Sequence, residues 1–416
     1  MKKEIAGRRV IVLVVLVITA VTLRAGGGGS GSTGCLICGV RGLADFISNI
    51  ILFAPLGCAV AMRKGKLWHA LLLGLALSLS IELAQWRLVA GRDANLGDLV
   101  ANGTGALLGW TLVRLRPWRP LAHGSAIRSY GVAWLTSGLL LVALTLFGPR
   151  LSRSTYYLHW TPAYESLERY PGTVLRTKLG SMEWVEGPHS RLEQPDSVGG
   201  LLSRVPLELE FMAGPATASL APIISISDEE QEEVLMIGAD GGDLIYRFNS
   251  RANDLRLDDV DLRVPQVLRE LRPGDTAVIS MRFDQQGYCI ELNSDTRCGH
   301  GVTIGDTWAL LLNPHWRPAV HRAFGIFWLW LAFLPVGMVT PNTRRLALVA
   351  AGAATALWLG PTFLGFAVTP LYQIVGVLFG HLAGAALGSR LNPTTPVAHR
   401  AETPGKLIRH GGPQRW

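Results

Sequence analysis

The chain has 416 residues, 49% hydrophobic and 17% charged, with a mean hydropathy of +0.28. That composition is too apolar for an ordinary soluble enzyme. The net charge of +8 is not gathered into one patch, which excludes a nucleic-acid partner. Basic residues stand between apolar runs: Lys2, Lys3, Arg8 and Arg9, then Arg63, Lys64 and Lys66, then Arg114, Arg116 and Arg119, then Arg344 and Arg345. Positive charge in alternate loops is the signature of a multi-pass protein with those loops in the cytoplasm, so the first partner is the lipid bilayer.

Residues 1–40 read as an anchor and an outer loop. Val10–Leu23 is an apolar run behind a basic start, and Leu23-Arg24-Ala25 interrupts any small-x-small cleavage site, so an uncleaved helix is expected over a signal peptide. Gly26–Gly34 formally contains G-x-G-x-x-G, but no strand precedes it, and a dinucleotide site is not expected. Cys35 and Cys38 follow as C-x-x-C. A redox pair, half a metal site and a local disulfide are all open, with a structural role as the default; Gly39 after Cys38 argues against haem attachment.

Residues 41–116 hold three apolar runs, Leu43–Met62, Leu67–Val89 and Leu96–Val113, against the roughly 20 residues that a spanning helix needs. Asp45 and Asn49 open the first run, Glu82 and Gln85 lie near the end of the second, and Asp98 and Asn102 open the third. Arg92 sits in the link between the last two. Antiparallel helices bring these residues to one face of the membrane, and spacings of three or four put each pair on one side of its helix. A carboxylate at a helix centre in a bilayer costs about 2.5–3.5 kcal/mol, so partners or a function are expected. Two readings stand side by side. One is an internal ion-pair network, with Glu82 and Asp98 against Arg87 or Arg92. The other is a pocket for a head group or a metal.

Asp45-x3-Asn49 with Leu52-Phe53-Ala54-Pro55-Leu56-Gly57, then Ser80-Ile81-Glu82-Leu83-x-Gln85, then Gly91-Arg92-Asp93-x4-Asp98-x3-Asn102-x2-Gly105-x3-Gly109, resembles the VanZ-like membrane proteins. The resemblance covers about a fifth of the chain. It implies an envelope membrane protein, named for resistance to glycopeptide antibiotics, and no particular reaction.

Residues 117–148 provide a cytoplasmic loop and a further crossing, Tyr130–Phe147. Over 149–316 the charge rises and short β-type runs appear: Pro206–Phe211, Ile223–Ile226, Val234–Ile237, Leu244–Phe248, Ala277–Phe283 and Tyr288–Leu292. They predict one extracytoplasmic all-β sandwich domain. Leu207–Phe211, the pair around Ile223–Ile237, Val278–Phe283 and Tyr288–Leu292 together resemble the laminin-G/concanavalin-A-like jelly roll. That resemblance implies glycan binding or protein contact. No Glu-x-Asp-x-x-Glu strand like that of the related glucanases is present, so hydrolysis is not expected. The acidic run Asp228–Glu233 reads as a solvated loop before a calcium site. Cys289 and Cys298 flank Asn293-Ser294-Asp295, a turn, and a disulfide is expected to staple the two strands.

Residues 317–391 hold three more apolar runs, Ala323–Val339, Leu346–Phe366 and Leu371–Leu387, followed by a basic cytoplasmic tail over 392–416. The last run carries Gly376, Gly380, Gly384 and Gly388, with His381 expected to pack and not to ligate. Leu331–Gly337 echoes Ile51–Gly57 (335 − 55 = 280), and His381–Gly388 echoes Asn102–Gly109 (388 − 109 = 279), which predicts an internal three-helix repeat. In the second copy the polar set is gone: Gly325, Leu329, Pro361 and Val377 stand near the places of Asp45, Asn49, Glu82 and Asp98.

The sequence therefore predicts an α-helical integral membrane protein of about eight transmembrane helices in the inner membrane, with both termini in the cytoplasm and a jelly-roll-like sandwich outside. Asp45, Asn49, Glu82, Gln85, Arg92, Asp98 and Asn102 are the candidate polar site. The expected role is binding an envelope glycan, lipid head group or protein at the outer face. An enzyme acting on lipid-linked substrates is the alternative, with the carboxylates as acid/base groups or metal ligands, although no standard catalytic motif supports it. A transporter is the second alternative. No cofactor is expected, and a divalent metal at the carboxylates or in the sandwich is left open.

Overall fold

The computed structural model describes residues 2–23, 35–37, 39–88, 95–114, 126–148, 154–164, 167–187, 190–194, 202, 204–258, 261–284, 287–293, 295–312, 318–340 and 343–391. Eight long helices lie among them. They are α1 (Lys2–Thr22), α2 (Gly42–Met62), α3 (Leu67–Leu88), α4 (Leu96–Arg114), α5 (Ala126–Thr145), α6 (Pro318–Met338), α7 (Thr343–Phe363) and α8 (Leu371–Leu391). Five of them, α2, α3, α6, α7 and α8, are long and apolar enough to cross a membrane. In α1 only Arg9–Thr22 is continuously apolar, and α4 is diluted by Asp98, Asn102 and its glycines. α5 nonetheless leaves Trp134, Leu135, Leu139 and Val142 exposed, as a lipid-facing helix would.

The tightest helix pairs are α2 with α4 and α6 with α8. Both approach backbone to backbone at glycines. A Cβ on Gly57 would overlap the Ala106 carbonyl, one on Gly105 that of Ile50, and one on Gly109 that of Ala54. In the second pair Gly337 meets the His381 carbonyl, Gly380 that of Trp330 and Gly384 that of Leu334. Contacts of this kind let membrane helices gain dispersion energy that larger side chains would hold apart.

These matched contacts set the equivalence of the two halves. Gly337 follows Gly57 by 280 positions (337 − 57), whereas Gly384 follows Gly109 by 275 (384 − 109). Gly109 therefore corresponds to Gly384 and not to Gly388, one helical turn from the sequence expectation. The counterpart of Asp98 becomes Gln373, and that of Asn102 becomes Val377. A small residue at every fourth position of α8 makes the sequence alignment degenerate by one turn. Only the packing breaks the tie.

The repeat also gains a helix. α1 packs on α2 and α3, and α5 packs on α6 and α7. The units are thus α1–α4 and α5–α8. The match is imperfect at the third helix, since α3 packs on both α2 and α4, whereas α7 packs on α8 and α5.

The β domain is inserted between the first and second helices of the second unit. It comprises β1 (Ser154–Trp160), β2 (Thr173–Leu179), β3 (Met182–Glu183), β4 (Leu192–Gln194), β5 (Leu207–Met212), β6 (Ala221–Ser227), β7 (Glu233–Asp240), β8 (Asp243–Phe248), β9 (Leu262–Val264), β10 (Thr276–Asp284), β11 (Gly287–Leu292) and β12 (Asp295–His300). They form two six-stranded antiparallel sheets, β4-β1-β6-β7-β8-β9 and β12-β11-β10-β5-β2-β3. β5 shows why they pack face to face. Leu207, Leu209 and Phe211 point inward and are buried, while Glu208 and Glu210 alternate outward, where Glu210 pairs with Arg176 at 2.7 Å. Tyr246 of β8 meets Tyr288 of β11 across the core, ring centroids 4.6 Å apart. Cys289 and Cys298 are joined by a disulfide between β11 and β12, with Cα atoms 4.0 Å apart. Cys35 is disulfide-bonded, while Cys38 lies outside the described residues.

The domain is seated on both units. The Arg251 and Ala252 amides donate to the Gly148 and Leu146 carbonyls beyond α5. The Arg256 carbonyl accepts from the Leu43 and Ala44 amides, satisfying donors that the first turn of α2 leaves open. Arg41 forms an ion pair with Asp258, and the Ser48 hydroxyl donates to the Leu311 carbonyl at 3.3 Å.

Candidate functional site

The polar residues of the first unit lie at the end of its bundle nearest the β domain. Asn49, on α2, donates through Nδ2 to Asp98 Oδ1 on α4 at 2.8 Å. Glu82, near the end of α3, accepts the Asn95 amide at 3.1 Å, just ahead of α4. Asn95 in turn accepts the Gly97 amide through Oδ1 at 2.9 Å, which is the geometry of an N-cap. Gln85 donates to the Thr22 carbonyl at the end of α1, 2.8 Å away. Asn102 donates to the Ser78 hydroxyl on α3 at 2.9 Å.

Among the described residues these hydrogen bonds join all four helices as neighbouring links. Glu82, Gln85 and Asn102 are buried, Asn49 and Asp98 are half-buried, and Asp45 is exposed. Arg92 lies outside the described residues. Arg87 is exposed, with its guanidinium over the Trp86 ring, 5.8 Å from the centroid. Asn102 keeps a buried Oδ1 with no hydrogen-bond partner among the described residues. A buried acceptor left unpaired costs about 1–3 kcal/mol, and such atoms mark sites where a ligand or water is needed.

Ser78, Asn95 and Thr22 are the partners that sequence reasoning missed. Ser78 precedes Glu82 by one turn on the same face, and Asn95 before Leu-Gly-Asp is a helix start signal, so both were legible. The Thr22 carbonyl carries no signal in its side chain.

The second unit has a notch in the corresponding place, and the chain itself fills it. A 3₁₀ helix, Ile304–Leu310, packs on α5 and α6 and is tied to α8 through Gln373. The Gly305 amide donates to Gln373 Oε1 at 3.0 Å, and Gln373 Nε2 donates to Thr303 Oγ1 at 2.7 Å. Thr307 Oγ1 accepts from the Trp328 indole at 2.8 Å, and Asp306 meets His321 Nε2 at 3.0 Å. His381 is buried against Phe333, with Nδ1 on the Val377 carbonyl.

Two features of the β domain bear on ligand binding. A half-open cleft of about 540 Å³ is lined by Trp160, Arg169, Tyr170, Pro171, Gly172 and Glu186, among others. Trp160 is fixed there, its indole on Thr177 at 3.2 Å and its amide on Glu186 at 2.9 Å. The acidic run Asp228–Glu233 folds on itself, Asp228 Oδ1 accepting the amides of Glu230 and Glu232. Among the described residues, no three His, Cys, Asp or Glu side chains gather as a metal-binding set.

Five helices able to cross a membrane, with a two-sheet β domain seated on them, define a multi-pass membrane protein with an appended globular domain. Residues 11–117 match the VanZ/LLP1 family, which gives α1–α4 the standing of a VanZ-like domain. Comparisons with curated proteins and with solved structures returned no match.

Proposed function

We propose that this is a VanZ-like cell-envelope protein that binds an envelope ligand (a glycan, a lipid head group or a protein) through the polar layer of α1–α4 at the outer face of the inner membrane. The supporting observation is the link between Asn49 and Asp98 across the tightest helix pair, continued by Glu82 on the Asn95 amide and, one turn deeper, by Asn102 on Ser78. Packing alone does not call for it. The second unit builds the same helix pair with Leu329 and Val377 at the places of Asn49 and Asn102. Basic residues in alternate loops support a β domain outside the cytoplasm, where its cleft faces envelope material.

The polar layer is tested with Glu82→Gln and Asp98→Asn together, isosteric changes that leave an oxygen for the Asn95 and Asn49 donors and remove the charge. Wild type purified from membranes should retain an envelope lipid or glycan visible by native mass spectrometry. The double variant should elute and melt as wild type does and lose that ligand. The same co-purifying species on both proteins would refute the reading. Topology is tested by reporter fusions: those after Lys66 and Arg345 should report cytoplasm, and those within 149–316 the outside.

A further inference from the structure

The cleft of the β domain lies away from the helices. β2 begins at Thr173, which is level with Met212 of β5 and through it with Thr276 of β10. From Thr276, β10 runs seven residues (283 − 276) to Phe283, which is level through Tyr288 with His300. His300 leads into the 3₁₀ helix on the bundle. At 3.3 Å per residue the cleft therefore stands about 20 Å above that junction. Its height is fixed, because the buried core of the sandwich runs on without a break into Leu140 and Leu144 of α5.

We infer that this cleft is a second binding site, which takes a neutral oligosaccharide standing off the membrane. The site is separate from the polar layer of α1–α4 and would stand if that layer bound nothing. Its aromatic walls are fixed before any ligand arrives. The Trp160 indole reaches from the first sheet to Thr177 of the second, and Tyr170 is buried edge-on to Phe211, ring centroids 6.2 Å apart. Surfaces ordered in advance lose little freedom on binding. The charged side chains of the lining, Arg169 and Glu186, are exposed and opposite in sign, so the cleft selects neither an anion nor a cation. Both can form charge-assisted hydrogen bonds with hydroxyls, Arg169 as donor and Glu186 as acceptor. Thr161, at the rim, holds a φ of +42°, a backbone conformation rare for a β-branched residue. Strain of that kind gathers at ligand clamps. A pyranose ring matches this set, with a C–H face to lie on an aromatic ring and hydroxyls around its rim that donate and accept. The volume of about 540 Å³ falls within the roughly 300–1,000 Å³ of small-molecule sites. A peptide added as a further strand would need the Trp160 amide, and Glu186 already takes it at 2.9 Å. A lipid head group belongs at the other end of the domain.

The full chain in lipid nanodiscs is titrated by calorimetry with chitotetraose, cellotetraose and maltotetraose, all neutral oligosaccharides. At least one should bind, and Trp160→Ala should weaken it by about ten-fold or more. If that variant does not fold, Arg169→Ala with Glu186→Gln, both at exposed positions, should weaken binding by about five-fold. No binding of any of the sugars to wild type overturns the inference. Equal binding by wild type and the Arg169/Glu186 variant overturns it as well. Binding lost in the Glu82→Gln/Asp98→Asn variant and kept in the cleft variants would place the sugar in the bundle, overturning this inference while supporting the polar layer as the site. The expected pattern is the reverse, with the sugar kept by the bundle variant and lost from the cleft variants.

Discussion

The two four-helix units solve the same packing problem and differ in what they do with its upper end. Both press an α2–α4 type pair together backbone to backbone at glycines. In the second unit the space above that contact is closed from within, by a 3₁₀ helix that satisfies Gln373 and buries Trp308 against Phe324. In the first unit the same level carries Asp45, Asn49 and Asp98, with Asp45 exposed. A plug and a polar seat at corresponding positions teach that the helix pair is the frame and the residues above it are the variable part. The inserted β domain supplies the plug.

The largest effects should come from the frame, where they also test the one-turn register. Gly109→Val and Gly384→Val each drive a side chain into a carbonyl, of Ala54 and of Leu334. Overpacking of this kind costs about 1–3 kcal/mol and at times more. Both variants should show a large loss of monodisperse protein in fluorescence-detected gel filtration. Gly388 is less crowded, a Cβ there lying 2.7 Å from the Met338 carbonyl, so Gly388→Val should be the mildest of the three. A Gly388 variant as damaging as the Gly109 variant, with Gly384 tolerant, would restore the register read from sequence.

The plug depends on the domain that carries it, so the next effect is the staple of that domain. Removing the Cys289–Cys298 disulfide by a double change to serine opens a loop of nine-residue separation. The expected loss is about 2–3 kcal/mol of β-domain stability, read as a lower melting temperature of the tryptophan signal. Breaking the plug alone should cost less. Gln373→Leu strands the buried Gly305 amide at about 1–3 kcal/mol. Glu82→Gln with Asp98→Asn should leave the melting temperature within the error of wild type. Equal destabilisation by the two would mean that the first unit's polar layer is as structural as the second's.

Much of this was legible in the chain. Alternation of leucine and glutamate gave β5, and the apolar runs gave α2, α3, α6, α7 and α8 nearly to their ends. Strands β1 to β4 and β9 were not expected, and β12 was expected only as the strand that carries Cys298 after the turn. They are short or interrupted, and β12 (Asp-Thr-Arg-Cys-Gly-His) has no apolar face to betray it, being held by pairing with β11. The role of α5 as the first helix of a unit was hidden because the insertion separates it from α6 by the whole β domain. At the site, the residue types and their level were readable, but their partners were not. Asn102 was expected to join the carboxylates and instead bonds Ser78, and Gln85 reaches back to α1. Side-chain spacing places a residue on a face of its helix. It does not say which of two neighbouring helices that face will meet.

The smallest effect separates the β domain from the bundle by its response to acid. Asp243 is buried at the start of β8, which by itself raises its pKa, but hydrogen bonds from Gln266 and the ion pair with Arg263 outweigh burial and hold the carboxyl below its ordinary value. Arg263 also pairs with Asp240, tying the tight turn between β7 and β8 to β9. The sign follows from linkage. With a folded pKa below the unfolded value of about 3.9, the group contributes stability that is complete above that value and is lost as pH falls through the folded one. The melting temperature of the β domain should thus fall from about pH 4 downward, and Asp243→Asn should flatten that part of the curve while lowering it at neutral pH. A variant whose acid limb is as steep as that of wild type would show that the loss arises elsewhere, and the Arg263 cluster would then not be what holds the far end of the domain together.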